Sequence, residues 1–166
     1  MNRIMMLIVG TIVLIAAGVI TIAFASGQND LAQLRAATAQ FQNPEKAQDA
    51  GYDLVSGLDY CFDNPGVGGM GFHYINTNIL DTTVDALQPE AIVYVSGPNG
   101  KLQAGGVEFI VPAQGWDEEG HTDPPSLYGH DFHLNESLGV YVLHAWIWKQ
   151  NPSGMFEDWN PKISCP

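Results

Sequence analysis

The longest apolar stretch lies at the N-terminus. Residues 4–25 contain no charged side chain, and the stretch ends in a small-x-small pattern typical of signal-peptide cleavage sites. It is also long enough to cross a bilayer as a helix. We therefore expect residues 1–25 to be a signal peptide or a membrane anchor. Cleavage after Ala25 is favoured because no basic stop-transfer cluster follows.

Helical patterns come next, at the start of a region that we expect to form one domain, residues 26–166. Apolar positions at helical spacing predict a first helix over residues 30–42, with Asp30 as its N-cap. A second short helix is predicted from Pro44 to Ala50, because proline is favoured in a first turn and Gly51 can end the helix.

The remainder of the chain has the pattern of β-strands separated by turns. The predicted strands are Phe72–Ile75, Ala91–Val95, Leu102–Val111, Leu127–Leu134 as an edge strand, and Val140–Lys149 as a central one. The turn at residues 97–100 predicts a hairpin, and Gly105-Gly106 predicts a bulge within it. Residues 63–71 are expected to be a glycine-rich turn, and residues 114–126 an acidic loop.

Helices followed by antiparallel strands indicate an α+β fold. One realisation is an N-terminal helix packed on a curved antiparallel sheet, and the other is a small β-barrel. The pattern does not choose between them.

The chain is strongly acidic, with 18 Asp and Glu residues against 6 Lys and Arg and a net charge of −12. Such a surface repels phosphate backbones, so nucleic-acid binding is not expected. Anionic lipid surfaces are disfavoured for the same reason. Membrane contact is expected only through residues 4–25, if they are retained.

The two cysteines, Cys61 and Cys165, agree with export. An even pair in an oxidising compartment predicts a disulfide. The expected location is therefore the periplasm or the extracellular space, or a membrane-anchored position with the domain outside the cytoplasm.

Three ionisable side chains interrupt the predicted apolar strands: His73, Glu108 and His144. Alternate strand residues share a face, so each of the three has apolar neighbours on its own face. Burying such groups is costly unless they are paired. We therefore predict that the three polar ends converge on one side of the sheet.

Two imidazoles and a carboxylate are a known metal-ligand set, used by catalytic zinc and non-haem iron sites. The candidate cofactor is a divalent transition metal: zinc, iron or copper. The alternative is a metal-free, hydrogen-bonded cluster. His133 is a candidate fourth ligand, although His130 and His133 would face opposite ways on a strand.

Several segments of the domain resemble a group of uncharacterised secreted bacterial proteins. The resemblance is carried by residues 70–76, 89–94 and 106–109, and by residues 143–148 through 159–161 to Cys165. It implies a bacterial exported protein with one domain after the export segment. It implies no activity.

Three functions fit these observations. The first is an exported metal-binding domain with hydrolase or oxidoreductase chemistry. The second is a non-enzymatic binding or structural module of the cell envelope. The third is an accessory subunit held in the membrane by residues 4–25.

Overall fold

The structure, a computed structural model, describes residues 29–166. The predicted export segment lies outside the described residues, so the signal-peptide and anchor interpretations stay predictions. In the part of the chain that is described, no helix is long and apolar enough to cross a membrane.

The described chain combines short helices with an antiparallel sheet, which confirms the α+β class. The helices are α1 (residues 29–38), α2 (Pro44–Asp49) and α3 (Ala113–Glu118), with short 3₁₀ turns at Ala39–Gln42 and Thr77–Ile79. The strands are β1 (Asp53–Leu54), β2 (Phe62–Asn64), β3 (Gly68–Ile75), β4 (Ala91–Ser96), β5 (Leu102–Pro112), β6 (Ser126–Leu127), β7 (His130–Asp131), β8 (His133–Asn135) and β9 (Val140–Ala145).

The main sheet has seven strands in the order β1-β3-β4-β5-β9-β8, and β2 also pairs with β3. A separate hairpin is formed by β6 and β7. Within residues 29–166 the sheet is not closed, so it has an edge at β8 and another at β1 and β2, rather than the continuous pairing of a barrel.

The two faces of the sheet bury different residues. One face carries the larger apolar cluster, which includes Tyr94, Phe109 and Leu143 together with Leu34 and Phe41 from the helical segment. The other face carries a smaller cluster of Ile75, Ala91, Ile110 and Val142. This second face holds the candidate site, because alternation along each strand puts the ionisable residues there.

The predicted hairpin and its bulge are confirmed. Strands β4 and β5 pair in antiparallel register, which shifts between Val93↔Gly106 and Tyr94↔Ala104 and leaves Gly105 as the extra residue. Both glycines are needed for close packing. A Cβ on Gly106 would lie 2.6 Å from the Ala145 carbonyl oxygen, and one on Gly105 would lie 3.1 Å from Val95.

The glycine-rich segment was wrongly predicted as a turn along its whole length. Only residues 65–67 turn, and β3 begins at Gly68. The backbone of Gly69 pairs with that of Asn160 as an isolated bridge. A Cβ at Gly69 would lie 2.9 Å from the Ile163 side chain, so the glycine permits this approach of the C-terminal segment.

Other predicted boundaries are wrong where local signals compete with tertiary contacts. The acidic loop contains helix α3, and Asp30 lies inside α1 rather than at an N-cap. The single edge strand predicted over residues 127–134 is broken at Tyr128, which has a positive φ of 54°, so that β8 alone pairs with β9. Strand β9 is interior, between β5 and β8, but it ends at Ala145.

The predicted disulfide is confirmed, since Cys61 and Cys165 are joined across 104 residues of sequence. It fastens the C-terminal end of the chain beside β2. A structural disulfide indicates a location outside the reducing cytoplasm.

Removing this disulfide should destabilise the domain. A loop of this length corresponds to about 4–5 kcal/mol in the chain-entropy model, an upper-end value. We expect the double variant Cys61→Ala/Cys165→Ala to lose at least about 2 kcal/mol of unfolding free energy in urea titrations. A loss below about 0.5 kcal/mol, within the range of a neutral surface substitution, would contradict it.

A buried carboxyl group should make stability depend on pH. Glu90 is buried, accepts a hydrogen bond from the Ile110 N–H at 2.8 Å, and burial raises its pKa to about 7, with Asp81 and Asp85 adding to the shift. The folded state thus holds this proton more tightly than the unfolded state. The stabilising contribution is complete below pH about 4.5 and is lost as pH rises through about 7.

The variant Glu90→Gln keeps a hydrogen-bond acceptor but removes the titration. We expect it to match the wild type at pH 4.5 and to be more stable at pH 8, by up to about 3 kcal/mol in urea titrations. The exposed Glu136→Gln serves as the matched control. Equal pH profiles for wild type and Glu90→Gln would contradict the prediction.

Candidate functional site

Three strands of the smaller-cluster face bring His73, Glu108 and His144 together. His73 lies on β3, and Glu108 and His144 are direct cross-strand partners on β5 and β9. Strand β4 separates β3 from β5, and there Glu108 is opposite Ala91. On β4, Val93 is opposite His73 and Ala91 is opposite Glu108, so the three side chains meet diagonally across β4.

The polar atoms of the three residues are in contact. His73 Nε2 lies 3.1 Å from His144 Nε2 and 3.6 Å from Glu108 Oε2, while Glu108 Oε1 lies 3.4 Å from His144 Nδ1. The residues are 5%, 8% and 2% exposed in sequence order. The predicted convergence on one side of the sheet is confirmed; metal binding by these atoms stays a prediction.

A fourth member, Asp158, was not predicted from the sequence. Its Oδ1 lies 3.2 Å from His144 Nδ1, and its Oδ2 lies 3.0 Å from His133 Nε2. Asp158 stands in an irregular C-terminal segment with no strand or helix pattern. Only the path of that segment, pinned where the Asn151 amide donates to the Glu157 and Trp159 carbonyls, places it beside β9.

His133 is therefore placed in an outer layer and not in the first group of ligands. The group whose ligand atoms all lie within 4.8 Å of one another contains His73, Glu108 and His144. His133 is half-exposed and reaches that group only through Asp158. His130 is exposed, packs its ring against Phe156 at 4.1 Å, and lines the same surface pocket as His133 and Asp158. That the two histidines do not ligate a metal jointly stays a prediction.

Burial and mutual charge set the protonation of the group. Burial, followed by the proximity of His144, lowers the pKa of His73 to about 3, so its imidazole is neutral. Burial raises the pKa of Glu108. Burial also opposes charge on His144, but Glu108 and the hydrogen bond to Asp158 outweigh it and raise that pKa. Despite its partial burial, Asp158 has a lowered pKa because His133 and His144 donate hydrogen bonds to it.

The two facing nitrogens limit what the cluster can contain. Asp158, an ionised acceptor, holds a proton on His144 Nδ1, which leaves His144 Nε2 directed at His73 Nε2. Two lone pairs at 3.1 Å repel each other, so a proton or a cation must lie between them. His73 Nδ1 is buried and has no hydrogen-bond partner, so the hydrogen bonding of this imidazole is directed through Nε2.

An apolar cavity of about 200 Å³ opens beside the cluster. His73 and Glu108 contribute to its lining, and most of the remaining wall is aliphatic or aromatic, including Leu58, Phe62 and Val142. Phe62 packs its ring edge-on against His73 at 5.1 Å and is adjacent to the disulfide-bonded Cys61. The cluster is thus reached from an apolar chamber.

Comparisons of the chain with protein-family models, with curated protein sequences and with solved structures give no significant match. The resemblance to secreted bacterial proteins stays a prediction, and the site is interpreted from its own chemistry.

Proposed function

We propose that the protein is an exported domain that binds one divalent transition metal ion, zinc, iron or copper, through His73, Glu108 and His144. The observation that carries the proposal is that two imidazole rings, each able to bind a metal in its neutral form, and one carboxylate meet at a buried point. Buried ionisable groups normally pair with one another or coordinate a metal. The disulfide supports the exported location.

The distances within the cluster suit a small metal ion. Ligand atoms about 2.0–2.2 Å from a tetrahedral centre lie roughly 3.3–3.6 Å apart. The separations from His73 Nε2 are 3.1 Å to His144 Nε2 and 3.6 Å to Glu108 Oε2, and one ligand atom from each of the three residues lies within 4.8 Å of the other two. A cation between the imidazoles also removes the repulsion of their lone pairs.

Asp158 supplies the support that metal-binding histidines usually have. Such a histidine donates its second ring N–H to a carboxylate or carbonyl, which orients the ring and increases its basicity. The His144 Nδ1 contact with Asp158 Oδ1 has this arrangement. His133 in turn holds the other oxygen of Asp158.

The site also resembles a reactive centre more than a structural one. Structural zinc sites are closed by four protein ligands, whereas catalytic sites use three and keep one position open. His73 and Glu108 contribute to the lining of the cavity, so an open position can face it. A metal bound there would supply Lewis acidity to a substrate oxygen or to water. The chain's own residues hold the ion and keep bulk water away.

A metal-free alternative is favoured by one observation. The contacts of 3.1 Å between the imidazoles and 3.2 Å to Asp158 are of hydrogen-bond length. A protonated His144 would then donate to both His73 and Asp158, and the domain would be a binding or structural module of the envelope. The cavity beside the cluster counts against a purely structural role, because it exposes the buried polar groups to a ligand.

Elemental analysis separates these two alternatives. After loading with zinc, copper or iron and desalting, the untagged domain should retain about one ion per chain. Glu108→Gln and His144→Asn should each lose at least about 100-fold in affinity, and Asp158→Asn should lose about 10–100-fold. The exposed His121→Asn is the matched control and should bind as the wild type does.

A stoichiometry near zero with all three metals would overturn the metal proposal and leave the hydrogen-bonded cluster. Circular dichroism of each variant shows whether the fold is kept. Equal losses in the His121→Asn control would reveal non-specific surface binding.

The export proposal has its own test, the N-terminus of the protein purified from a bacterial host. Processing after Ala25 should give a chain that begins at Ser26 in the periplasm or medium. Recovery of the intact Met1 terminus in the membrane fraction would instead support the anchored form, and co-purification with larger membrane proteins would support the accessory subunit.

A further inference from the structure

We propose that the cavity beside the cluster binds a small aromatic alcohol, a molecule of about the size of phenol, with its ring in the apolar chamber and its hydroxyl group directed at Glu108. The binding of the ring does not depend on a metal. Any contact of the hydroxyl oxygen with a metal rests on the proposed function above.

The walls of the cavity select an apolar body. Leu58, Phe62, Leu80, Ile110 and Val142 line it from different parts of the fold. The side chains that line an empty apolar cavity lack dispersion contacts on one side, which lowers stability. A ligand that fills the cavity restores those contacts. Phe62 and the His73 ring present aromatic groups to the same space, which suits a flat ring.

The size of the cavity limits the ligand to one ring. Its volume is about 200 Å³. An apolar cavity of about 150 Å³ in another protein holds a benzene molecule. The extra volume accommodates a hydroxyl or hydroxymethyl group but not a second ring.

The polar end of the cavity selects the head group. Glu108 is buried in the cavity wall, and a carboxyl group offers an acceptor oxygen in either protonation state, so a donor suits the position opposite it. A carboxylate or an ammonium head group would lose its hydration as a charged group on entering this apolar site. A hydroxyl group donates one hydrogen bond at the lowest desolvation cost.

The mouth of the cavity provides a way to block it. Leu138 is 49% exposed and lines the cavity, whereas Leu134 is 45% exposed and does not. Leu138→Trp should obstruct the entrance without disturbing the core, and Leu134→Trp adds the same side chain elsewhere on the surface. The two variants form a matched pair.

The test is a set of NMR titrations of the predicted mature domain, residues 26–166, with benzene, phenol, benzyl alcohol and benzoate, in metal-free and zinc-treated forms. We expect phenol or benzyl alcohol to bind about tenfold more tightly than benzene in the metal-free form, and benzoate to bind more weakly than benzene. Glu108→Met removes the acceptor and should abolish the preference for the alcohols while keeping benzene binding. Leu138→Trp should weaken every ligand at least about tenfold, and Leu134→Trp should not. Nuclear Overhauser contacts between the ring and the methyl groups of Ile110 and Val142 should locate the bound molecule.

The outcomes separate this inference from the proposed function. Ring contacts with Ile110 and Val142 in a protein that retains no zinc, copper or iron after loading would support the cavity ligand and sink the metal proposal. Zinc retention without binding of any of the four compounds would support the metal proposal and overturn the cavity ligand. Tighter binding of benzoate than of the alcohols in the metal-free form, or equal binding by the Leu138→Trp and Leu134→Trp variants, would overturn the inference about the cavity.

Discussion

The burial of three ionisable side chains on one apolar face is the constraint on which the rest of the site depends. Each of His73, Glu108 and His144 would be costly to bury alone, and each is made tolerable by the other two. The direct pairing of Glu108 with His144 places two of them together through register alone. The third, His73, reaches them diagonally across β4, where Val93 is opposite His73 and Ala91 is opposite Glu108. Sheet register thereby creates a polar centre within an apolar layer.

Alternation of apolar and polar residues was sufficient to predict the main strands and the convergence of the three side chains. The reason is that burial cost acts on each residue within its own strand, and a strand pattern is visible over five or six positions. The hairpin of β4 and β5 was predictable because its turn residues are local. The broken edge strand and α3 were not. Tyr128 and Gly129, both with positive φ, form a two-residue turn between β6 and β7 that lacks the usual Asn-Gly or Asp-Gly signal, and α3 begins without a side-chain N-cap.

Asp158, in the outer layer of the site, was beyond prediction for a related reason, whereas His133 was predicted as a candidate fourth ligand. Asp158 is far from His133 in sequence and lies in a segment without clear periodicity. Their meeting depends on the course of the C-terminal segment, where Asn160 is fully buried and its backbone pairs with Gly69. The disulfide at Cys165 then fastens the end of this segment. In this segment, side-chain amides and the disulfide fix the course of the backbone, as strand pairing does in the main sheet.

The bulge at Gly105 also determines where a one-residue insertion or deletion near β5 can be tolerated. If β5 paired regularly from the hairpin turn onward, Val107 would stand opposite Ala91 and Glu108 would turn toward the face that carries Tyr94. The extra residue at Gly105 corrects this, and its carbonyl oxygen accepts hydrogen bonds from the Trp148 and Lys149 N–H groups. A codon gained or lost in the loop before Leu102 leaves the carboxylate in place. One gained or lost between Gly106 and Glu108 inverts the strand and removes the carboxylate from the site.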